Sequence, residues 1–269
     1  MGRLTTKNAS FNNVAPGSTA VLTFPVGGLS YHETILKFEN MSLAQMTDIK
    51  LKINGHTFQE WKDGERLNSD NKHYKRGAAT ANMLPLYFIR PEMDNVFARR
   101  MFAIGTADVS TMSLHITIAD DAVNPKLDAW TIHGDPAPLD IITRKLVLPF
   151  ASSTGGKFEV SNIPIDTKGA AIAAIHIYSA DVDGVTLKRN NETVFELERA
   201  MAAKVQTDYG RDPQSADKLS LDFILEGDIA QAIQLDKVND FRLTMDLAKA
   251  TSGDIVVEYI ENGAQTILG

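Results

Sequence analysis

The chain contains no cysteine, which excludes disulfides, thiolate zinc sites, iron–sulfur clusters and cysteine nucleophiles. Aromatic residues make up only 7% of the 269 residues, and Trp61 and Trp130 are the two tryptophans. Positive charge is also short. Lys and Arg number 27 against 34 Asp and Glu, a net charge of −7, so no sequence-specific nucleic-acid binding is expected. The 18 Gly and 10 Pro are too few for a collagen-like or low-complexity chain. The longest apolar stretch without formal charge, Gly169–Ala180, contains His176 and falls short of the ~20 residues of a membrane-spanning helix. The opening residues MGRLTTKNAS lack the apolar run of a signal peptide, so a chain made and kept without export is expected. Gly2 and Thr6 match the short myristoylation pattern.

Catalytic patterns are missing too. The six histidines are His32, His56, His73, His115, His133 and His176, and no two stand as H-x-H or H-E-x-x-H. A duplicated cupin enzyme needs clustered His and Glu ligands, which neither half supplies. The stretch Ser152–Phe158 resembles a phosphate loop, but Phe158 follows Lys157 where Ser or Thr is needed. There is no G-x-S-x-G elbow.

What is present is a core-forming composition, 43% hydrophobic and 23% charged. The length suits two domains. Pro136 and Pro138, in the stretch Gly134–Asp140, cannot sit inside a helix or a central strand, which divides the chain into 1–138 and 139–269. The first part carries 14 basic and 14 acidic residues, the second 13 and 20, so all excess negative charge lies in the second. The parts also resemble each other. IKLKINGHTFQEW (Ile49–Trp61) aligns without gaps on VTLKRNNETVFEL (Val185–Leu197); MLPLYFI (Met83–Ile89) matches KLSLDFI (Lys218–Ile224); SLHITI (Ser113–Ile118) matches RLTMDL (Arg242–Leu247). Three matches in one order indicate a duplicated domain.

The local pattern is mainly β. Ile49, Leu51 and Ile53 alternate with lysines, and Leu114, Ile116 and Ile118 alternate with polar residues. Asn54-Gly55 is a strong two-residue hairpin turn, and Asn190-Asn191 a weaker one. Thr34–Phe38, Ile172–Tyr178 and Ile255–Ile260 read as buried strands. Strands are expected through Trp61 and Leu197, with helices in the long connections: after Leu197, at Asn95–Phe102 and at Asp228–Leu235. About eight short strands per part predict two tandem jelly rolls, a double jelly roll.

Among candidate sites, Asp181 and Asp183 precede Gly184 as Asp-x-Asp-Gly, a fragment of many calcium loops. Calcium, as a structural ion held by Asp181 and Asp183 with other oxygens, is the one metal expectation; no cofactor is required. Asp120-Asp121 read as solvated loop charges. Lys72, Lys75 and Arg76 around Tyr74, the pair Arg99-Arg100, and Arg3 with Lys7 form small basic clusters able to touch phosphate or to sit solvated.

With its repeated hairpins at Ile49–Trp61 and Val185–Leu197, its proline junction and its lack of cysteine, the whole chain resembles the major capsid proteins of the corticovirus group. These are tailless, icosahedral, membrane-containing bacteriophages of marine bacteria. The resemblance rests on the length and the entire string, because such a fold has no catalytic signature. It implies a structural, non-enzymatic protein of the virion, assembled in the host cytoplasm. It further implies homotrimers that tile a shell with neighbouring trimers and vertex proteins, over an internal membrane enclosing the viral DNA. The alternatives are a soluble carbohydrate-binding β-sandwich, for which aromatics are few and Trp61 is expected in a core, and a cupin-type enzyme.

Overall fold

A computed structural model describes residues 3–167 and 169–268. Gly2 of the myristoylation pattern lies outside the described residues. By packing, the chain divides into two units, Met1–Arg144 with Asn262–Gly269, and Lys145–Glu261. The proline junction lies just before this division.

The first roll contains β1 (Leu4–Lys7), β2 (Thr19–Phe24), β3 (Ser30–Glu39), β4 (Met46–Ile53), β5 (His56–Asp63), α1 (Gly64–His73), β6 (Met83–Tyr87), α2 (Val96–Arg100), β7 (Ile104–Gly105), β8 (Met112–Ile118) and β9 (Lys126–Gly134). The second follows with β10 (Ile141–Ser152), β11 (Gly156–Val160), β12 (Ala171–Tyr178), β13 (Val182–Arg189), β14 (Glu192–Glu198), α3 (Arg199–Asp208), β15 (Leu219–Asp222), β16 (Ile233–Gln234), β17 (Phe241–Leu247) and β18 (Thr251–Asn262). The sheets are ordered β1-β9-β3-β6 and β2-β8-β4-β5 in the first roll, and β10-β18-β12-β15 and β11-β17-β13-β14 in the second. Counted from the start of each roll, the two orders are the same. Each roll also has one two-residue strand, β7 on β3 and β16 on β12, so among the described residues each has eight main strands and a short ninth. This is the double jelly roll expected from the periodicity.

The alternation that marks the strands also builds the cores. Met112, Leu114, Ile116 and Ile118 of β8 face inwards in the first roll; Phe241, Leu243, Met245 and Leu247 of β17 do so in the second. β12 and residues 255–260 of β18 are buried throughout, and the polar residues that interrupt these apolar runs, His176 and Glu258, lie 3.7 Å apart. Only one face of Thr34–Phe38 is fully buried, since Ile35 and Lys37 are half-buried. The segment Asp228–Leu235 is not the expected helix. One 3-10 turn, Ile229–Gln231, gives way to β16, because Ile233 and Gln234 pair with Ile172 and Ala171 of β12.

The duplicated hairpins agree in detail. β4–β5 and β13–β14 carry the same bulge, between Leu51 and Lys52 and between Leu187 and Lys188. Both turns use positive φ, 48° at Asn54 and 82° at Gly55, 49° at Asn190 and 66° at Asn191, the primed geometry that suits strand twist. Asn54 Oδ1 accepts from the Ser110 and Thr111 amides at 2.9 and 3.0 Å, and Asn190 Oδ1 from those of Asn239 and Asp240 at 2.8 and 3.2 Å. Each asparagine thereby ties the hairpin tip to the loop that feeds the neighbouring strand.

The junction is pinned by close approach. A Cβ at Gly105 would fall on the carbonyl oxygens of Ala137 and Pro138. The last residues return to the first unit: the Gly263 amide donates to the Asp140 carbonyl at 2.6 Å, and Ile267 joins the first core.

Candidate functional site

The histidines do not converge. His115 is half-buried and bonded to Ser113 Oγ at 3.0 Å; His133 bonds Thr6 Oγ1 at 3.1 Å and His176 bonds Ser220 Oγ at 2.8 Å. Among the described residues no group of three or more His, Asp or Glu side chains could hold a metal ion. Ser152–Phe158 runs from the end of β10 through an exposed turn at 153–155 into β11, with no helix N-terminus to cradle a phosphate. Asp120 and Asp121 are exposed, and Asp121 accepts from Gln45 Nε2 at 3.0 Å.

Asp181 and Asp183 enter β13 beside protein cations. Lys249 Nζ lies 3.2 Å from the Asp181 carboxylate. Asp183 lines an open cavity of about 580 Å³ with Glu198, Arg199, Ser215 and Asp246. The Arg199 guanidinium is committed to backbone. It donates to the carbonyls of Val182 (2.8 Å), Ser215 (2.8 Å) and Ser179 (2.6 Å). Burial pushes its pKa down, against the pull of Asp183 and Asp181.

The basic clusters fare differently. Arg3 pairs with Glu33 at 3.1 Å, and Lys7 pairs with Asp128 at 3.1 Å over the Trp130 ring, so this tail is the edge strand β1. Arg76 is neither solvated nor available to phosphate. It is buried on Glu92, which accepts from Arg76 Nε at 2.7 Å and from Arg90 Nε at 2.9 Å. Both guanidiniums sit over Tyr74, at 4.4 and 5.3 Å from the ring centroid. Burial alone would raise the Glu92 carboxyl, but Arg76 and Arg90 hold it below its ordinary 4.5. Sequence reasoning missed Arg90 and Glu92, because nothing local marks a charge as buried. The second roll has its own buried set: Lys145–Glu258 at 2.8 Å, His176–Glu258 at 3.7 Å and Arg211–Asp222 at 2.6 Å. These clusters are deep in the packing and brace the framework.

The surface features that remain are apolar. Phe97 and Val96 on α2 are 88% and 53% exposed, and Met201 and Tyr209 at α3 are about half exposed. Val205, Tyr209, Phe223, Leu225, Glu226 and Gln231 line a hollow of about 270 Å³. The arrangement offers shape and charge for association.

Comparison with known proteins agrees with this picture. Models of the viral coat protein P2 N-terminal and C-terminal domains match residues 5–133 and 142–263. The major capsid protein P2 of Pseudoalteromonas phage PM2 is 29% identical over 259 residues, covering 93% of this chain and 94% of that one. The crystal structure of the major capsid protein P2 from bacteriophage PM2 superposes with a TM-score of 0.91 at 27% identity, over 97% of this chain and 98% of that one. The STIV major capsid protein shares the fold, with a TM-score of 0.70 at 12% identity over 97% and 96% of the two chains. Both rolls being matched almost from end to end, this chain belongs to the viral coat protein P2 family.

Proposed function

We propose that this chain is the major structural subunit of a viral capsid and has no catalytic role. The observation that carries the reading is the likeness to a major capsid protein over 97% of the chain, in two rolls of one strand order. Two similar rolls per subunit let three chains present six similar wedges, and a closed ring of three avoids open-ended growth within the building block. The subunit is accordingly read as a homotrimer whose neighbours are further trimers and vertex proteins. The shell stands over an internal membrane around the DNA, in a virion assembled in the host cytoplasm. The excess negative charge of the second part supports screening by cations. Calcium at Asp181 and Asp183 would have to compete with Lys249 and recruit backbone carbonyls or water to reach the about six to eight oxygens it prefers.

The carbohydrate-binding alternative lacks support. Trp61 is buried and donates its indole N–H to Asp70 at 2.9 Å, and Trp130 is half-buried beneath Lys7. Sedimentation of the purified protein tests the capsid reading: a stable trimer is expected, and a protein that stays monomeric at micromolar concentration would argue against it.

A further inference from the structure

The two rolls carry one helix at the same place and finish it differently. α1 and α3 are each ten residues long, each follows the last strand of the hairpin, and each ends on a tyrosine cap with an arginine two residues on. In the first roll six helix residues are buried, and Tyr74 is 2% exposed beneath Arg76 and Arg90. In the second roll only Ala202 and Gln206 are buried, and Tyr209 is 50% exposed. Arg211 turns inwards to Asp222, and the position matching Arg90, 135 residues on, is Leu225. The tyrosine thus loses both guanidinium covers and becomes one wall of the apolar hollow. Its aromatic floor, Phe223, is braced edge-on by Phe195 at 5.8 Å.

The chain also carries a matching projection. Phe97, the most exposed of the large apolar side chains among the described residues, stands on a short helix that is held firmly. The Asn95 side chain caps the helix by accepting from the Ala98 amide at 2.9 Å, and Arg99 Nε donates to the Met93 carbonyl at 2.6 Å. Arg100, exposed and three residues on at the end of the same helix, adds positive charge. The hollow has Glu226 at its rim and lies in the part of the chain that holds all the excess negative charge. A phenyl ring left in water is an unspent anchor of the kind that dominates interfaces once it is seated in a pocket.

We propose that Phe97 of one copy of this chain seats in the hollow of a second copy, with Arg100 facing Glu226 and the open ring of Tyr209. Projection and hollow lie on different rolls, and in the trimer read above the contact repeats head to tail from copy to copy. The proposal rests on the capsid reading, which requires copies to associate, and names a contact that joins them.

The absence of cysteine makes the test clean. Val96→Cys and Gln231→Cys proteins, which keep the Phe97 ring and the apolar walls of the hollow, are prepared separately, mixed, and treated with a short thiol–thiol bifunctional reagent, whose span tolerates the distance a disulfide would not. A bridge between position 96 of one copy and position 231 of another, identified by peptide mass, is the expected product. In parallel, Phe97→Ala is expected to weaken association about 10-fold or more in sedimentation while the melting of the subunit is unchanged. Material that oligomerises without the 96–231 bridge, or with unchanged association for Phe97→Ala, overturns the contact and leaves the capsid reading standing. A wild-type protein that never associates overturns both.

Discussion

Replacing Glu92 with Gln keeps the size of the side chain and removes the negative charge that two buried arginines share. In the native cluster Arg76, Arg90 and Glu92 are each less than one-tenth exposed, and the carboxylate receives both Nε donors at 2.7 and 2.9 Å. Glutamine keeps one acceptor but no charge, so the two guanidiniums over Tyr74 lose the carboxylate they share. Breaking a buried pair by removing one partner costs about 3–5 kcal/mol. At about 2–4 °C per kcal/mol for a domain of this size, the melting transition should fall by about 6 °C or more. Acid adds a second readout. The folded carboxyl titrates below its ordinary 4.5, so its stabilisation is full above about pH 4.5 and is lost as pH falls through the folded value. Wild-type melting should therefore drop on acidification from about pH 5 to about pH 3, and Glu92→Gln should lack that part of the slope. Calorimetry at several pH values measures both effects, and only the transition of the first unit should move. A shift under about 2 °C, or an acid slope equal in the two proteins, would refute the view that this cluster is held by charge.

Asn54→Ala and Asn190→Ala should each cost about 1–2 kcal/mol in urea unfolding, from the lost amide acceptor and the positive φ. Asn→Gly at either site should recover the φ part alone, and unequal losses at the two sites would count against equivalent turns. Gly105→Ala should cost about 1–3 kcal/mol by overpacking and hasten proteolysis at residues 135–140, because its Cβ displaces the Ala137 and Pro138 carbonyls; unchanged cleavage would mean that the junction is not held there. If calcium binds at Asp181 and Asp183, calcium should raise the melting temperature of the assembled wild type, and the shift should vanish when both residues are changed to Asn; a shift of equal size in the variant places the ion elsewhere.

Local chemistry determined much of this architecture before any tertiary contact was considered. Period-two alternation at Ile49–Ile53 and Leu114–Ile118, the Asn54-Gly55 turn and the prolines at 136 and 138 are properties of a few neighbouring residues. The backbone has few ways to satisfy them. The hairpin recurs 136 residues later and the Ser113–Ile118 pattern 129 residues later, which made the duplication legible as well; the same bulge and the same asparagine tie repeat in the structure. Burial was decided only in three dimensions. Arg76 reads as a loop cation until Glu92 and Arg90 close around it. Ile233 and Gln234 carry a helical spacing until β12 offers them a strand edge. Tyr74 and Tyr209 end equivalent helices, yet one is covered and the other open because Leu225 stands where Arg90 does. Whether a charge or a ring meets water depends on residues brought together from distant parts of the chain, and sequence periodicity, which reports only on near neighbours, carries no record of them.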